Sequence, residues 1–262
     1  MVTTLVRIMS FAALAYLILP LVVLVGVSLT TTSFLAFPPK GLTLVWYGKM
    51  LSDPTYTSAF LNSTILAVVA TMIAVLLAVP AAIAIARYRF TGRGLLAEML
   101  NSPLILPHVV LGAALLQYGG AIGLIRSFPA LLVGHVVIIM PFVLRAVQPQ
   151  LSDEQLILEE ASADLGAKPL TTFFLVTLPQ IRSGLVSGAI FAFIASWINV
   201  ELSIFNTTAD LSTIPVKLFN YVQYTIDPTI AAVSGLTIIV AAVVIVLLEL
   251  TIGLDVLSER RR

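Results

Sequence analysis

"FLNSTILAVVATMIAVLLAVPAAIAIA", residues 60–86, runs from end to end without one ionisable side chain. About 20 apolar residues wound as a helix cross the hydrocarbon core of a bilayer, and this stretch exceeds that length. Lipid offers no partner for backbone N–H and C=O groups, so a segment immersed in it must bond them internally, as a helix does. The stretch therefore reads as a transmembrane helix.

The same reading extends to both sides. Of 262 residues, 59% are hydrophobic and only 10% charged, with a mean hydropathy of +1.07. Ordinary soluble domains carry roughly 25% charged residues, so too little polar surface exists here to coat a soluble fold. Hydropathy sets out six spans, near residues 10–28, 60–86, 95–117, 130–144, 183–205 and 230–250. The first follows Arg7, is longer than the roughly 7–15 apolar residues of a signal peptide and ends in no A-x-A site, so it is expected to be retained. The fold expected is an all-α polytopic membrane protein forming one domain over 1–262.

Lysine and arginine set the orientation. With the N-terminus in the cytoplasm, Arg7, Arg87, Arg89, Arg93, Arg145, Lys168, Arg182 and Arg260 to Arg262 lie inside. Only Lys40, Lys49, Arg126 and Lys217 lie outside. Both termini are expected in the cytoplasm, and so is the loop between spans four and five.

Several chemistries are unsupported. A net charge of +1 gives no basic surface for nucleic acid, and the absence of cysteine removes disulfides, thiolate metal sites and thiol nucleophiles. Two histidines with no H-E-x-x-H spacing make no metal site. Gly48-Lys49 lacks the earlier glycine and the following Ser/Thr of a phosphate-binding loop. Any ATP hydrolysis belongs to another chain.

The loop between spans four and five, a segment of about 150–181, is polar and broken by glycine and proline: "EEASADLGAKPLTTFFLVTLP", residues 159–179. Ser152-Asp153-Glu154-Gln155 has the S-x-x-Q pattern of a capping box. Ile157, Leu158, Ala161 and Leu165 then recur at helical spacing as one apolar stripe, with Glu159, Glu160 and Asp164 facing elsewhere. Gly166 suits a helix C-terminus, Pro169 the start of the next helix, and Pro179 its end. Two short helices are expected across the cytoplasmic face. A hairpin resting on headgroups is the plainer alternative, but membrane-surface helices are usually basic. An acid-rich pair fits docking on a protein better.

At these residues a resemblance enters. Glu160-Ala161-Ser162, Gly166, Val176 and Leu178-Pro179 fall at the spacing of the EAA signature of ABC importer permeases, with Ser162 for alanine and Val176 for isoleucine. "AIARYRFTGRG", "PLILP", "HVVIIMPFV", "SWINVELSIF" and "STIPVKLFNYV" resemble the spermidine/putrescine-type permeases, particularly their C-type subunits. The resemblance implies a multi-pass permease of the bacterial inner membrane and not an enzyme. It implies a coupling-helix pair that docks on an ATPase, here through Glu159, Glu160, Ala161, Ser162, Asp164, Leu165, Gly166 and Pro179, with Gly166 and Pro179 as fixed corners of a lever. The partners implied are two copies of a cytoplasmic ABC ATPase, which bind the ATP and magnesium, a second permease subunit in a heterodimer, and an extracytoplasmic solute-binding protein. The mechanism implied is alternating access.

Ionisable groups within a membrane are costly and mark candidate paths. Glu98 and Glu249 lie near cytoplasmic span ends, where water is in reach. His108, His135 and Glu201 lie deeper. A structural role is expected for His135. His108 follows Pro107, which frees a backbone carbonyl in the preceding turn, so it either lines a substrate path or packs. Trp197, Asn199, Glu201 and Ser203 lie within two turns of span five, Asn199 and Ser203 on one helical face and Glu201 on another. They line the path or join helices. Polyamine permeases usually carry acids where this chain has Ile198, Asn199 and His108, which counsels against a polyamine. The solute expected is a polyamine-like amine, a zwitterion or an organic anion. An autonomous channel or secondary carrier is the competing class, and it calls for inverted repeats or a chain of buried charges. An intramembrane protease calls for a nucleophile set against a base. Neither pattern stands out.

Overall fold

The structure is a computed structural model that describes residues 2–252, with side chains described for 4–240. Among the described residues it is built of helices and connecting turns, with no strand. In chain order the helices are α1 (Val2–Ser28), α2 (Val45–Ser52), α3 (Pro54–Arg87), α4 (Arg93–Asn101), α5 (His108–Ala121), α6 (Phe128–Val147), α7 (Asp153–Asp164), α8 (Pro169–Thr172), α9 (Leu178–Gln180), α10 (Arg182–Trp197), α11 (Ser203–Asn206), α12 (Ile214–Tyr224) and α13 (Thr229–Ile252). Short 3-10 turns occupy Ser102–Leu104 and Gln148–Gln150, and a π turn spans Phe173–Thr177.

Three of these helices, among the described residues, are long and apolar enough to cross a membrane: Thr4–Ser28, Pro54–Arg87 and Phe128–Gln150. Two bent pairs raise that to five. The expected continuous third span is one of the pairs. It breaks between Arg93–Leu104 and His108–Ala121, which meet at 103°. Pro103 and Pro107 each lack a backbone donor, so the ladder cannot run through them. The expected fifth span is cut short, and a corner precedes it. Pro169–Gln180 meets Arg182–Trp197 at 72°, and α10 ends at Trp197, well short of residue 205. The expected sixth span falls on α13, whose side chains beyond residue 240 lie outside the described ones, Glu249 among them.

The described residues pack as two units, those within 1–57 with 217–262 and those within 58–216. In the first, α13 lies against α1 and α2. Tyr47 of α2 reaches Ser28 at the end of α1 (Oη to Oγ 2.7 Å). A Cβ on Gly235 would stand 2.9 Å from the same hydroxyl, so α13 approaches closely only as glycine. Trp46 Nε1 donates to Thr30 O at 2.8 Å. Lys49 pairs with Asp227 at 2.9 Å, and Tyr221 donates to that carboxylate at 3.0 Å. Along α1, Leu5, Phe11, Tyr16 and Leu17 are exposed, as side chains facing lipid are.

In the second unit, Ala67, Ala70, Ala74, Ala78 and Ala82 form a fully buried ladder along α3. All but Ala67 share an apolar cluster with Leu131, Ile138, Ile139, Val143 and Leu144 of α6. Between membrane helices the attraction is van der Waals contact rather than hydrophobic burial, and small residues let backbones approach. The pairing of α6 with α10 works the same way. A Cβ on Gly184 would overlap the Ala146 carbonyl and stand 2.8 Å from Gln150 Cγ, and one on Gly188 would meet Val143 Cα at 3.0 Å. All candidate site residues lie in this unit.

Candidate functional site

The polar segment folds as two helices, as its punctuation predicts. Gly166 sits at φ +84°, the left-handed region that favours glycine. Its N–H bonds Ala163 O at 2.8 Å, and Ala167 N–H bonds Ser162 O at 3.1 Å. This reciprocal pair is the Schellman ending of a helix. Ser162 and Thr172 hydroxyls, 3.0 Å apart, tie α7 to α8, which starts on Pro169 as expected.

Two details differ from expectation. Ser152 occupies the N-cap position, but its side chain caps nothing and Gln155 Oε1 is unpartnered, so the capping box does not form. Pro179 does not end its helix. It lacks the N–H that would bond Leu175 O and its ring crowds that carbonyl, and the chain answers by widening into the π turn Phe173–Thr177. The break comes at Ile181, two residues later.

The hairpin holds an open groove of about 540 Å³, with Leu158, Ala161, Leu165, Leu175, Val176 and Pro179 in its wall. Leu165 is 90% exposed. Glu160, Asp164 and Gly166 are exposed as well. Glu159 is the exception in this acidic set. Its carboxylate accepts from Arg87 Nη2 at 3.3 Å and from the Thr177 hydroxyl at 2.9 Å, with Arg87 Nε 3.2 Å away as an ion-pair contact that makes no hydrogen bond. Arg87 also donates from Nη1 to Ser152 O at 3.0 Å and Leu151 O at 3.4 Å. Glu159 is thus turned inward and is not part of the exposed face. Sequence reasoning used Arg87 only to orient the chain and passed over Thr177. A basic residue closing a span, opposite an acidic run, was the available signal.

The intramembrane candidates separate into three places. Because α10 ends at Trp197, Asn199 and Ser203 do not share a helical face, and the i, i+4 reasoning does not apply. Asn199 Oδ1 accepts from Leu202 N at 3.0 Å, which sets the amide so that Nδ2 faces His108 Nδ1 at 3.2 Å. His108 Nδ1 is then an acceptor and its proton sits on Nε2. Glu201 Oε2 lies 3.8 Å from the same Nδ1, with a side chain 59% exposed. Two helix breaks, one before α5 and one after α10, therefore bring His108, Asn199 and Glu201 together.

Ser203 lies elsewhere, fully buried, 3.0 Å from His135 Nε2, while Ser196 Oγ sits 2.7 Å from Nδ1. An imidazole with one ring proton donates to one hydroxyl and accepts from the other. His135 is the structural joint expected of it, and Ser203 serves that joint. Trp197 packs edge-on against Phe60 at 5.8 Å and donates from Nε1 to Thr64 Oγ1 at 3.3 Å. Close approach completes the corner. A Cβ on Gly112 would stand 2.9 Å from Leu202 Cα, and Asn206 Nδ2 donates to Gly112 O at 2.9 Å. Among the described residues, no group of His, Asp or Glu is placed to hold a metal ion.

Comparison with known proteins agrees with this architecture. Residues 74–262 match the family described as binding-protein-dependent transport system inner membrane component. The spermidine/putrescine transport system permease protein PotC of Haemophilus influenzae is 28% identical over 92% of this chain and 93% of its own length. The putrescine transport system permease protein PotI of Escherichia coli is 33% identical over 77% of this chain and 73% of its own. The trehalose transport system permease protein SugB of Mycobacterium tuberculosis is 28% identical over 89% and 87%. Among solved structures, a chain of a bacterial ABC transporter involved in the import of the acidic polysaccharide alginate superposes with a TM-score of 0.69 over 95% of both chains, at 16% identity. The helical fold and the matched sequence make this chain a member of the binding-protein-dependent transport system inner membrane component family, the membrane permease subunits of ABC importers.

Proposed function

We propose that this chain forms half of the membrane pore of a bacterial inner-membrane ABC importer and moves a small organic solute by alternating access. In this reading residues 1–262 act as one permease domain with six spans and both termini in the cytoplasm. The hairpin of α7 to α9 docks on one of two ATPase copies, which bind the ATP and magnesium. A second, different permease subunit completes the pore, and an extracytoplasmic binding protein delivers the solute. The observation that carries the docking role is the exposed apolar groove on an otherwise acidic hairpin. Leu165, Leu158 and Leu175 stand in water there unless something covers them.

His108, Asn199 and Glu201 form the solute-facing edge in this reading, because helix breaks that expose polar groups at mid-membrane commonly line a path. Relatives that carry amines and a sugar share the fold, so the solute is set by side chains. One carboxylate beside a histidine and an amide fits a polyamine-like amine, a zwitterion or an organic anion.

The test of docking is Gly166→Asp. A Cβ at Gly166 has open space within the chain, and aspartate tolerates the left-handed region better than most residues. The spans are expected to fold while transport uncouples from ATP hydrolysis. Normal coupling in a normally folded variant removes the hairpin from the ATPase interface.

A further inference from the structure

The hairpin is joined to α10 through irregular backbone. A π turn at Phe173–Thr177 is followed by a 72° corner at Ile181. A push delivered to α7 must pass two bends before it reaches α10. The structure offers a second and straighter route. Arg87, the last residue of α3, has a side chain only 8% exposed. Its guanidinium grips the hairpin at the entry to α7, through Leu151 O and Ser152 O, and at mid-helix, through Glu159. Thr177 binds the same carboxylate from the other arm. One planar fork thus ties α3 to both the entry and the middle of α7, which a single ammonium point charge does not do, and Glu159 passes the tie on to Thr177.

From Arg87, α3 runs unbroken back to Thr64 and Phe60, about 35 and about 40 Å away at 1.5 Å per residue. There it meets the indole of Trp197, at the end of α10 and two residues from Asn199. We propose that Arg87 is a positioning residue that clamps the docking hairpin to α3, so that α3 carries hairpin displacement to the helix break beside His108, Asn199 and Glu201. This rests on the hairpin being the ATPase docking element. Covalent continuity through α10 alone does not account for a buried guanidinium spent on the first hairpin arm, whose Glu159 in turn holds Thr177 of the second.

Spatial intermediacy by itself does not show coupling, so the experiment reads motion. The chain has no cysteine, and Ala163→Cys on α7 with Leu77→Cys on α3 gives one spin-label pair across the clamp. The assembled complex, with its ATPases and second permease in nanodiscs, is measured with and without ATP. With Arg87 present, the α7–α3 distance is expected to stay fixed on ATP binding, because the two move as one body. In Arg87→Gln the distance is expected to change on ATP binding, while the ATPase copurifies at the level of the labelled parent. ATP hydrolysis then loses its link to opening by roughly 5–150-fold, the span of ordinary coupling energies.

Arg87→Lys keeps the charge but loses the fork, and it is expected to loosen the pair in the same sense. It serves where the glutamine variant fails to assemble. An ATP-dependent distance change in the parent, or a fixed distance in both variants, overturns the clamp. Absence of ATPase from the parent complex is a separate result, and it overturns the docking reading on which the clamp rests.

Discussion

Replacing Ser203 by alanine tests how the corner after α10 is held. His135 is 1% exposed, and its two ring nitrogens are matched by one hydroxyl from α10 and one from the start of α11. Ser203→Ala leaves Nε2 without its partner in a fully buried site. An unsatisfied buried polar group costs about 1–3 kcal/mol. Ser196→Ala bares Nδ1 at a similar cost. The informative variant removes the whole network: Ser196→Ala, His135→Leu and Ser203→Ala together. Replacing both sides of a hydrogen bond by apolar groups of similar shape is nearly neutral, and bonds between membrane helices average only about 0.6 kcal/mol. The triple variant is therefore expected to melt above either single serine variant, despite carrying more substitutions. Thermal unfolding of the detergent-solubilised complex, followed by size-exclusion profile, gives the order directly. A triple variant that melts below both singles, near the sum of their losses, refutes the account of the joint as a mutually satisfied polar network.

Further outcomes follow from other contacts. Glu201→Ala is expected to alter uptake of the solute carried by the binding protein more than Glu249→Ala does, since Glu201 stands with His108 and Asn199; equal effects in an ATP-driven vesicle uptake assay remove it from the path. Gly184→Ala places a methyl against the Ala146 carbonyl and 2.8 Å from Gln150 Cγ, and overpacking of this kind costs about 1–3 kcal/mol; an unchanged melting temperature contradicts the close α6–α10 crossing.

Outside the spans, burial pushes the Asp227 carboxyl up, but hydrogen bonds from Lys49, Thr229 and Tyr221 outweigh it and hold the group below its ordinary 3.8. The hydrogen bond to Asp227 in turn lifts the Lys49 ammonium above 10.5. A depressed acid contributes stability above its unfolded value and loses it as pH falls through the folded one; a raised base contributes below its unfolded value and loses it as pH climbs. The melting difference between wild type and Asp227→Asn is thus expected to be flat from about pH 5 to about 9 and to shrink below 3.8. A difference that vanishes near neutral pH contradicts the pairing.

Hydropathy found the helical class because lipid leaves the backbone no other choice, and the long uncharged run over residues 60–86 became α3. It did not find the breaks. Apolar residues continue past Pro107 and past Trp197, so a window average passes straight through both corners. Pro107 marked the first of them. The second has no proline; it is held by Asn199 capping Leu202 N three residues on, which hydropathy does not register, and by the His135–Ser203 contact, long-range packing that single-sequence periodicity does not carry. Gly166 and Pro169 were legible because each answers to a local backbone rule. The inward turn of Glu159 was not, since the partner that turns it, Arg87, is distant in sequence.

The central claim is that this permease works through its cytoplasmic hairpin as one subunit of an ATPase-driven complex. The most direct measurement is gentle-detergent purification of the chain from its own cell, with mass spectrometry of everything that accompanies it. The account predicts an ABC ATPase at two copies and a second, different permease, with the ATPase reduced and the second permease retained when Leu165→Asp is introduced into the exposed groove. Recovery of the chain alone, or an ATPase that binds the Leu165→Asp variant as well as wild type, would contradict it.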